Sequence, residues 1–277
     1  MHDRPHWSYS AVSQYMACPL QYFFQRVIGL PRITVSSNLV LGSAVHHALA
    51  EYHRTILYDE PTRTEALHRV FIKAWEQREA ESRVTYRSRE SRGEVIAQGI
   101  ALIEVYLLEP PPQRIVGIEQ EIIAPLHNSQ GEILETPLIA VADLLTEGDE
   151  ELVVHEFKTS GRTYSEMEVD TSLQATCYVN AVQEVHGYPP KVEFTVLVKT
   201  RKPKVQRLTT VRTDEDLGRL GDVVQAVERA TQAGIFYPVE SPLNCSSCPY
   251  RLPCRDWGRP GLTQQLVVPG TTEGEAT

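Results

Sequence analysis

The placement of the cysteines constrains this chain more than any other feature. Cys245, Cys248 and Cys254 form C-x2-C-x5-C in NCSSCPYRLPC, while Cys18, followed by Pro19, stands near the other end. Three thiols on one short segment leave a four-coordinate site one ligand short, and Cys18 is the obvious fourth donor. Such a site ties the N-terminal segment to the C-terminal one, whatever lies between. Four cysteines hold either tetrahedral zinc or an iron–sulfur cluster. Zinc ribbons usually supply two CxxC pairs, so a lone Cys with a trailing triplet fits a cluster better. Pro after Cys18 and Cys248 points the same way. Zinc and plain core thiols stay open as alternatives. The odd total of five cysteines argues against a disulfide framework, and Cys177 reads as a buried core thiol.

Between these ends the pattern changes once. Residues 8–30 read as a helix that Ser8 or Ser10 can cap, with Gly29 and Pro31 ending it. Further helical patterns cover 41–58, 62–82 and 92–109, the last stopped by Pro110, Pro111 and Pro112. Beyond the prolines come short Val- and Ile-rich segments at 114–124, 137–146, 151–158, 192–199 and 205–212, with helices at 172–186 and 214–233. This predicts an α/β core in residues 114–213, with a helical part over 8–110 and a helix and Cys-rich segment over 214–257. One domain over 1–260 and a disordered tail over 261–277 are expected.

The formal charge of −9 excludes a histone-like polycation but not a local basic groove. No apolar run is long enough to span a bilayer, and MHDRPHWSYS lacks a signal-peptide core. A cytoplasmic, reducing compartment is the expectation.

The second constraint is a pair of carboxylates and a lysine. Asp143 ends one apolar strand, and Glu156 and Lys158 lie on the next. If residues 148–151 form the turn between them, Glu147 pairs with Leu152 and Asp143 falls opposite Glu156, on one face with Lys158. Two facing carboxylates repel unless a cation sits between them. Oxygen-rich sites of this kind suit Mg²⁺ or Mn²⁺, and a nearby ammonium can orient water or stabilise charge at phosphorus. The bland alternative is a cross-strand ion pair on a solvated face. His46 and His47 lie on the second helix, where one facing inward could ligate metal. Gln174 and Tyr178, at i and i+4, share a helix face and could touch a phosphate or a base, or simply pack.

Taken together and in order, these motifs resemble the PD-(D/E)XK nuclease superfamily in its RecB-like iron–sulfur branch. That branch includes the nuclease subunits of AddB type and the small CRISPR-associated exonucleases. The resemblance runs over roughly residues 8–257. SYSAVSQYMACPLQYFF resembles the segment leading to the first cluster Cys, LGSAVHHAL the G-x-x-x-H motif from Gly42 to His46, and VAD the strand Asp143. HEFKTS resembles the E-x-K core of Glu156 and Lys158, LQATCY the Q-x-x-x-Y helix of Gln174 and Tyr178, and the closing triplet the cluster ligands. Ala142 stands where many members carry Pro, and Ala140 where a Gly is frequent.

The resemblance implies a restriction-endonuclease-like mixed sheet flanked by helices, its N- and C-terminal segments joined by a 4Fe–4S cluster on Cys18, Cys245, Cys248 and Cys254. It implies that His46, Asp143, Glu156 and the carbonyl of Phe157 hold Mg²⁺ or Mn²⁺, with Lys158 as a further catalytic group. The implied activity is DNA exonuclease action at single-stranded ends, in repair, recombination or CRISPR spacer processing. Helicase, recombination or CRISPR integration proteins are the implied partners, with no membrane. Endonuclease or flap cutting on the same site, or a non-catalytic scaffold role, are the alternatives. The chain carries no phosphate loop of the G-x4-G-K-[ST] type.

For the nucleic acid, KTRKPKVQR over 199–207 has five basic residues and no acidic one, and Lys199, Arg201, Lys202 and Lys204 are the candidates for tracking phosphates. Arg83, Arg87, Arg89 and Arg92 form a second basic stretch, diluted by Glu90. Tyr164, just past the Glu156 strand, could stack on a base.

Overall fold

The structure, a computed structural model, describes residues 6–148 and 151–258. The tail expected over 261–277 lies outside the described residues.

In chain order the elements are β1 (Trp7–Ser8), α1 (Tyr9–Ala17), α2 (Pro19–Tyr22), β2 (Thr34–Ser36), α3 (Ser37–Leu57), α4 (Thr64–Glu81), β3 (Arg83–Thr85) and α5 (Arg92–Leu107). Then come β4 (Ile115–Ala124), β5 (Leu138–Glu147), β6 (Leu152–Ser160), α6 (Glu166–Asp170), α7 (Leu173–His186), β7 (Lys191–Val198) and β8 (Lys204–Thr210). α8 (Asp214–Gln232), α9 (Pro242–Cys245) and α10 (Arg251–Asp256) follow.

Helix α5 starts where Ser91 and Glu94 cap each other's backbone N–H groups, and α8 starts on the same device from Thr213 and Asp216. The helix expected over 8–30 is broken. Cys18 precedes a proline, which disfavours helical backbone, and it is extended at φ −162° and ψ 101°. The chain resumes as α2 and a wide π-type turn over Phe23–Val27. This break frees the Cys18 side chain from the helix surface.

The main sheet is mixed. β5 is flanked by β4 on one side and by β1 and β6 on the other, and β6, β7 and β8 follow in order. β6 and β7 run parallel, while β4–β5, β5–β6 and β7–β8 are antiparallel. The β5–β6 register is the one the sequence predicts, with Glu147 opposite Leu152, and the Gly148 N–H bonds the Glu151 carbonyl at 2.7 Å. The short β2–β3 pair was not legible as strands and stands apart from this sheet.

Helices α3, α4 and α5 cover one face around Leu41, Phe71, Trp75 and Leu102, meeting Leu144, Phe157 and Leu197 of the sheet. Helix α7 covers the other face, with Val179 and Val182 on Val154, Val192 and Val196. Cys177 is buried, as expected, and burial pushes its thiol up to about 12. A small separate cluster of Leu20, Phe24 and Tyr250 joins the two ends of the chain. Among the described residues no helix is long and apolar enough to cross a membrane.

Candidate active site

The site forms where β5 and β6 part. Their ladder ends at the Leu144–His155 pair, one position short of Asp143 and Glu156. Beyond it the Asp143 side chain continues the contact, Oδ2 accepting the Phe157 N–H at 2.8 Å. On the far side of β5, Glu119 lies between the Ile118–Leu144 and Gln120–Ala142 pairs in the left-handed region, at φ 47°. That conformation is unusual outside glycine and marks a local distortion of β4 opposite Asp143. The Glu119 carboxylate reaches Arg54 of α3 at 2.9 Å.

Helix α3 delivers the histidine. A Cβ on Gly42 would stand 3.3 Å from Thr159 Oγ1, so the glycine lets α3 settle on β6. One turn on, His46 Nδ1 lies 3.2 Å from Asp143 Oδ1. His47 points elsewhere, its Nδ1 at 2.8 Å from the Ser43 carbonyl.

Glu156 is the buried member, 3% exposed. Its Oε1 is 2.5 Å from Lys158 Nζ, and its Oε2 accepts the Tyr178 hydroxyl at 2.5 Å. Gln174 closes the ring: its Oε1 accepts from Lys158 Nζ at 2.7 Å, and its Nε2 donates to Tyr178 at 2.8 Å. Tyr178 is itself buried and spends its hydroxyl on Glu156. The hydroxyl expected to touch a base or phosphate, or simply to pack, is thus bonded to Glu156. Gln174 likewise faces the lysine. The helical i, i+4 spacing was legible; its target was not.

The charges follow from this arrangement. Burial works against the Glu156 anion and Asp143 adds repulsion, so its carboxyl stands above the usual carboxylate range despite Lys158 and Tyr178. Burial also works against Asp143, but His46, the Phe157 N–H and Lys158 outweigh it and hold Asp143 low. Burial would lower His46; the hydrogen bond and charge of Asp143, with Glu156 beyond, reverse that and hold it above an ordinary histidine. Burial likewise disfavours the Lys158 cation, and Glu156 more than restores it.

Residues 6–255 match the PD-(D/E)XK nuclease superfamily. The chain belongs to that superfamily. Among solved structures, it is similar to an Eubacterium rectale protein assigned as an exonuclease, at 12% identity with TM-score 0.52. That match covers 97% of this chain and 91% of the other, and shows a shared fold. SSO0001 overlaps at 11% identity with TM-score 0.37, covering 81% of this chain and 86% of that one. No curated protein matches.

Members of the PD-(D/E)XK superfamily hydrolyse nucleic-acid phosphodiesters with Mg²⁺ or Mn²⁺, and the donors here fit such an ion. Two ligands at adjacent octahedral positions, each about 2.1 Å from Mg²⁺, stand about 3 Å apart. His46 Nδ1 and Asp143 Oδ1 are 3.2 Å apart. Among the described residues, however, no trio of His, Cys, Asp and Glu is arranged as a ready metal site. At the carboxylates, all four oxygens of Asp143 and Glu156 are engaged by protein groups.

At the chain ends, Cys18, Cys245, Cys248 and Cys254 line one cavity of about 160 Å³ together with Gln21, Val239 and Asn244. Cys18 Sγ accepts the Val239 N–H at 3.5 Å. Burial raises the Cys248 and Cys254 thiols, and the neighbouring cysteines add to that. The donor set is all sulfur.

Of the nucleic-acid candidates, Arg201, Lys202 and Lys204 are exposed in and after the β7–β8 turn. Lys199 is half-buried and donates to Asn38 Oδ1. Tyr164 is also half-buried; its N–H bonds Gln206 Oε1 at 2.8 Å, and the Arg162 guanidinium lies 5.9 Å from its ring centre.

Proposed function

We propose that this nuclease is a metal-dependent DNA exonuclease of the RecB-like branch, acting at single-stranded ends. The observation that carries the reading is the convergence of His46, Asp143, Glu156 and Lys158 at the mouth between β5 and β6. His46, Asp143, Glu156 and the Phe157 carbonyl would hold the ion. Mg²⁺ or Mn²⁺, when bound, lowers the pKa of a water and neutralises charge on the scissile phosphate.

The chain's own residues do the rest. Tyr178 fixes one oxygen of Glu156 and leaves the other to choose between Lys158 and a cation. Gln174 keeps hold of the Lys158 ammonium when Glu156 turns away. Lys158 then orients the attacking water and stabilises negative charge at phosphorus. Arg201, Lys202 and Lys204 attract the strand, and Tyr164 offers a face for stacking.

We also infer that Cys18, Cys245, Cys248 and Cys254 hold a 4Fe–4S cluster with a structural role. What supports this is that Cys18, from one end of the chain, lines the same cavity as the three cysteines from the other. Zinc is the competing occupant of the same donors. Helicase, recombination or CRISPR integration proteins are the partners this reading implies, the chain having no phosphate loop of its own.

The test is anaerobic purification, a visible spectrum, and digestion of end-labelled single- and double-stranded DNA with Mn²⁺. The expected results are a broad visible band and stepwise shortening of single strands. Lys158→Ala is expected to lower the rate by about 10²–10⁴-fold. No cleavage by the wild-type protein overturns the enzyme reading. Internal cuts in circular single strands overturn the exonuclease, and a colourless protein with bound zinc overturns the cluster.

A further inference from the structure

The two basic stretches of this chain lie far apart in sequence, and the fold brings them to one place. β2 and β3 pair in parallel, Ser36 opposite Thr85, so the segment after β3 runs beside the start of α3. Glu90 fixes it there. Its Oε2 accepts both the Ser37 hydroxyl, at 2.6 Å, and the Arg87 N–H, at 3.1 Å. The acid that dilutes this stretch in the sequence is thus spent on holding the loop against α3.

From the other side comes Lys199. Its N–H bonds the carbonyl of Ser160, at the end of the strand that carries Glu156 and Lys158, at 2.7 Å. Its ammonium donates to Asn38 Oδ1. Asn38 is in the first turn of α3, where free N–H groups and the helix dipole favour anions. Arg87 is exposed, and neither Arg87 nor Lys199 has an ion-pair partner among the described residues. Burial lowers the Lys199 ammonium and Arg87 lowers it further, so the two cations crowd one another, and Glu90, engaged by Ser37 and the Arg87 N–H, offsets this only in part. Asn38, Gly42 and His46 lie one turn apart along α3, so this cationic corner is about 12 Å from the candidate metal site.

We propose that Arg87, Lys199 and the Asn38 end of α3 form a rim that grips the nucleic-acid backbone about 12 Å from the cleaved bond. The proposal rests on the nuclease reading and adds to it a second contact point, which fixes the path of the strand along α3. Phosphate diesters are the ligand chemistry: an Arg fork, an ammonium and helix N–H groups all present donors to anionic oxygens.

The experiment measures anisotropy of a labelled single-stranded oligonucleotide in metal-free buffer over a series of salt concentrations. KM and kcat are then measured with Mn²⁺ on oligonucleotides of increasing length. Arg87→Ala and Lys199→Ala are each expected to weaken binding severalfold and to reduce the salt slope by about 0.7. KM should rise while kcat holds, and the rise should grow with length and be smallest for a dinucleotide. Arg69→Ala, at an exposed cation on α4 about 18 Å along the helix from its Glu81 end, is expected to leave the slope as it is. Arg87 sits in an exposed loop, so its variant remains informative even if Lys199→Ala misfolds. A wild-type salt slope and KM in Arg87→Ala overturn the rim while leaving the nuclease intact. A wild-type protein that neither binds nor cuts DNA overturns the nuclease reading itself.

Discussion

The Asp143 carboxylate accepts the backbone N–H of Phe157 at 2.8 Å, where the backbone ladder between β5 and β6 has just ended. One side chain thereby does two things. It completes the sheet's hydrogen bonding at a splayed edge, and it fixes the peptide between Glu156 and Lys158. Its second oxygen is left for His46, at 3.2 Å.

Asp143→Asn should therefore separate metal binding from folding. An amide oxygen can still accept the Phe157 N–H, but the anion is lost. Saturating Mn²⁺ is expected to stabilise the wild-type protein by about 2.7 kcal/mol at a hundredfold excess over Kd, and the variant by much less. Thermal melting with and without Mn²⁺ reads the difference.

Tyr178→Phe removes one hydroxyl from a buried ring of hydrogen bonds. Activity should fall about 10–100-fold, the range for groups that orient a metal ligand. The Tyr178 bond lowers the Glu156 carboxyl, so losing it raises that group further. The acidic limb of the pH–rate profile should accordingly move to higher pH. An unmoved limb would show that Tyr178 only fills space.

His53 lies on α3 behind Phe157, fully buried, its Nε2 2.9 Å from the Tyr106 hydroxyl and its ring stacked on Phe157 at 5.3 Å. Burial pushes it down to about 3, with His155 adding to the shift and Asp143 opposing it. Between about pH 6.5 and 3 the unfolded chain binds a proton there that the folded chain does not. Stability from this site is full above pH 6.5 and falls as the pH drops through that window, by an amount on the order of a few kcal/mol. Urea midpoints measured against pH should fall less steeply for His53→Gln than for the wild type.

Two glycines mark close approaches that tolerate no side chain. A Cβ on Gly221 of α8 would stand 2.0 Å from the His127 carbonyl oxygen, and one on Gly99 of α5 2.2 Å from the Phe71 ring. Either Gly→Ala change should destabilise the fold by about 1–3 kcal/mol. Gly221→Ala should be the worse, because backbone cannot swing aside as a ring can. Denaturant midpoints rank the two.

Much of this site was legible because strand geometry is strict. Once the polar turn fixes Glu147 opposite Leu152, a period of two places Asp143 beside Glu156 without further information. The Glu156 contact of Tyr178 was not legible, for the opposite reason. Helical spacing put it on a face with Gln174, but which element that face meets depends on the packing of α7 on the sheet. His53 was passed over because nothing local distinguishes a buried histidine from a surface one. β2 and β3 have three residues each, too few to show alternation. The break at Cys18 was written in the chain, since a residue before proline avoids helix, but the apolar spacing on either side masked it.

The joined ends also bear on the order in which the molecule can be completed during synthesis. The Leu20 N–H bonds the Tyr237 carbonyl, Asn244 donates to the Ala17 carbonyl, and the Tyr250 hydroxyl to the Leu30 carbonyl. These partners are made after the whole main sheet, although the segment they cover is made before it. Until Tyr250 is made, Leu20 and Phe24 have no cover from it, and a nascent chain carries an apolar patch while β4 to β8 are synthesised. A premature stop between Phe236 and Tyr250 would leave that patch uncovered for good, with the strands that bear Asp143 and Glu156 already made.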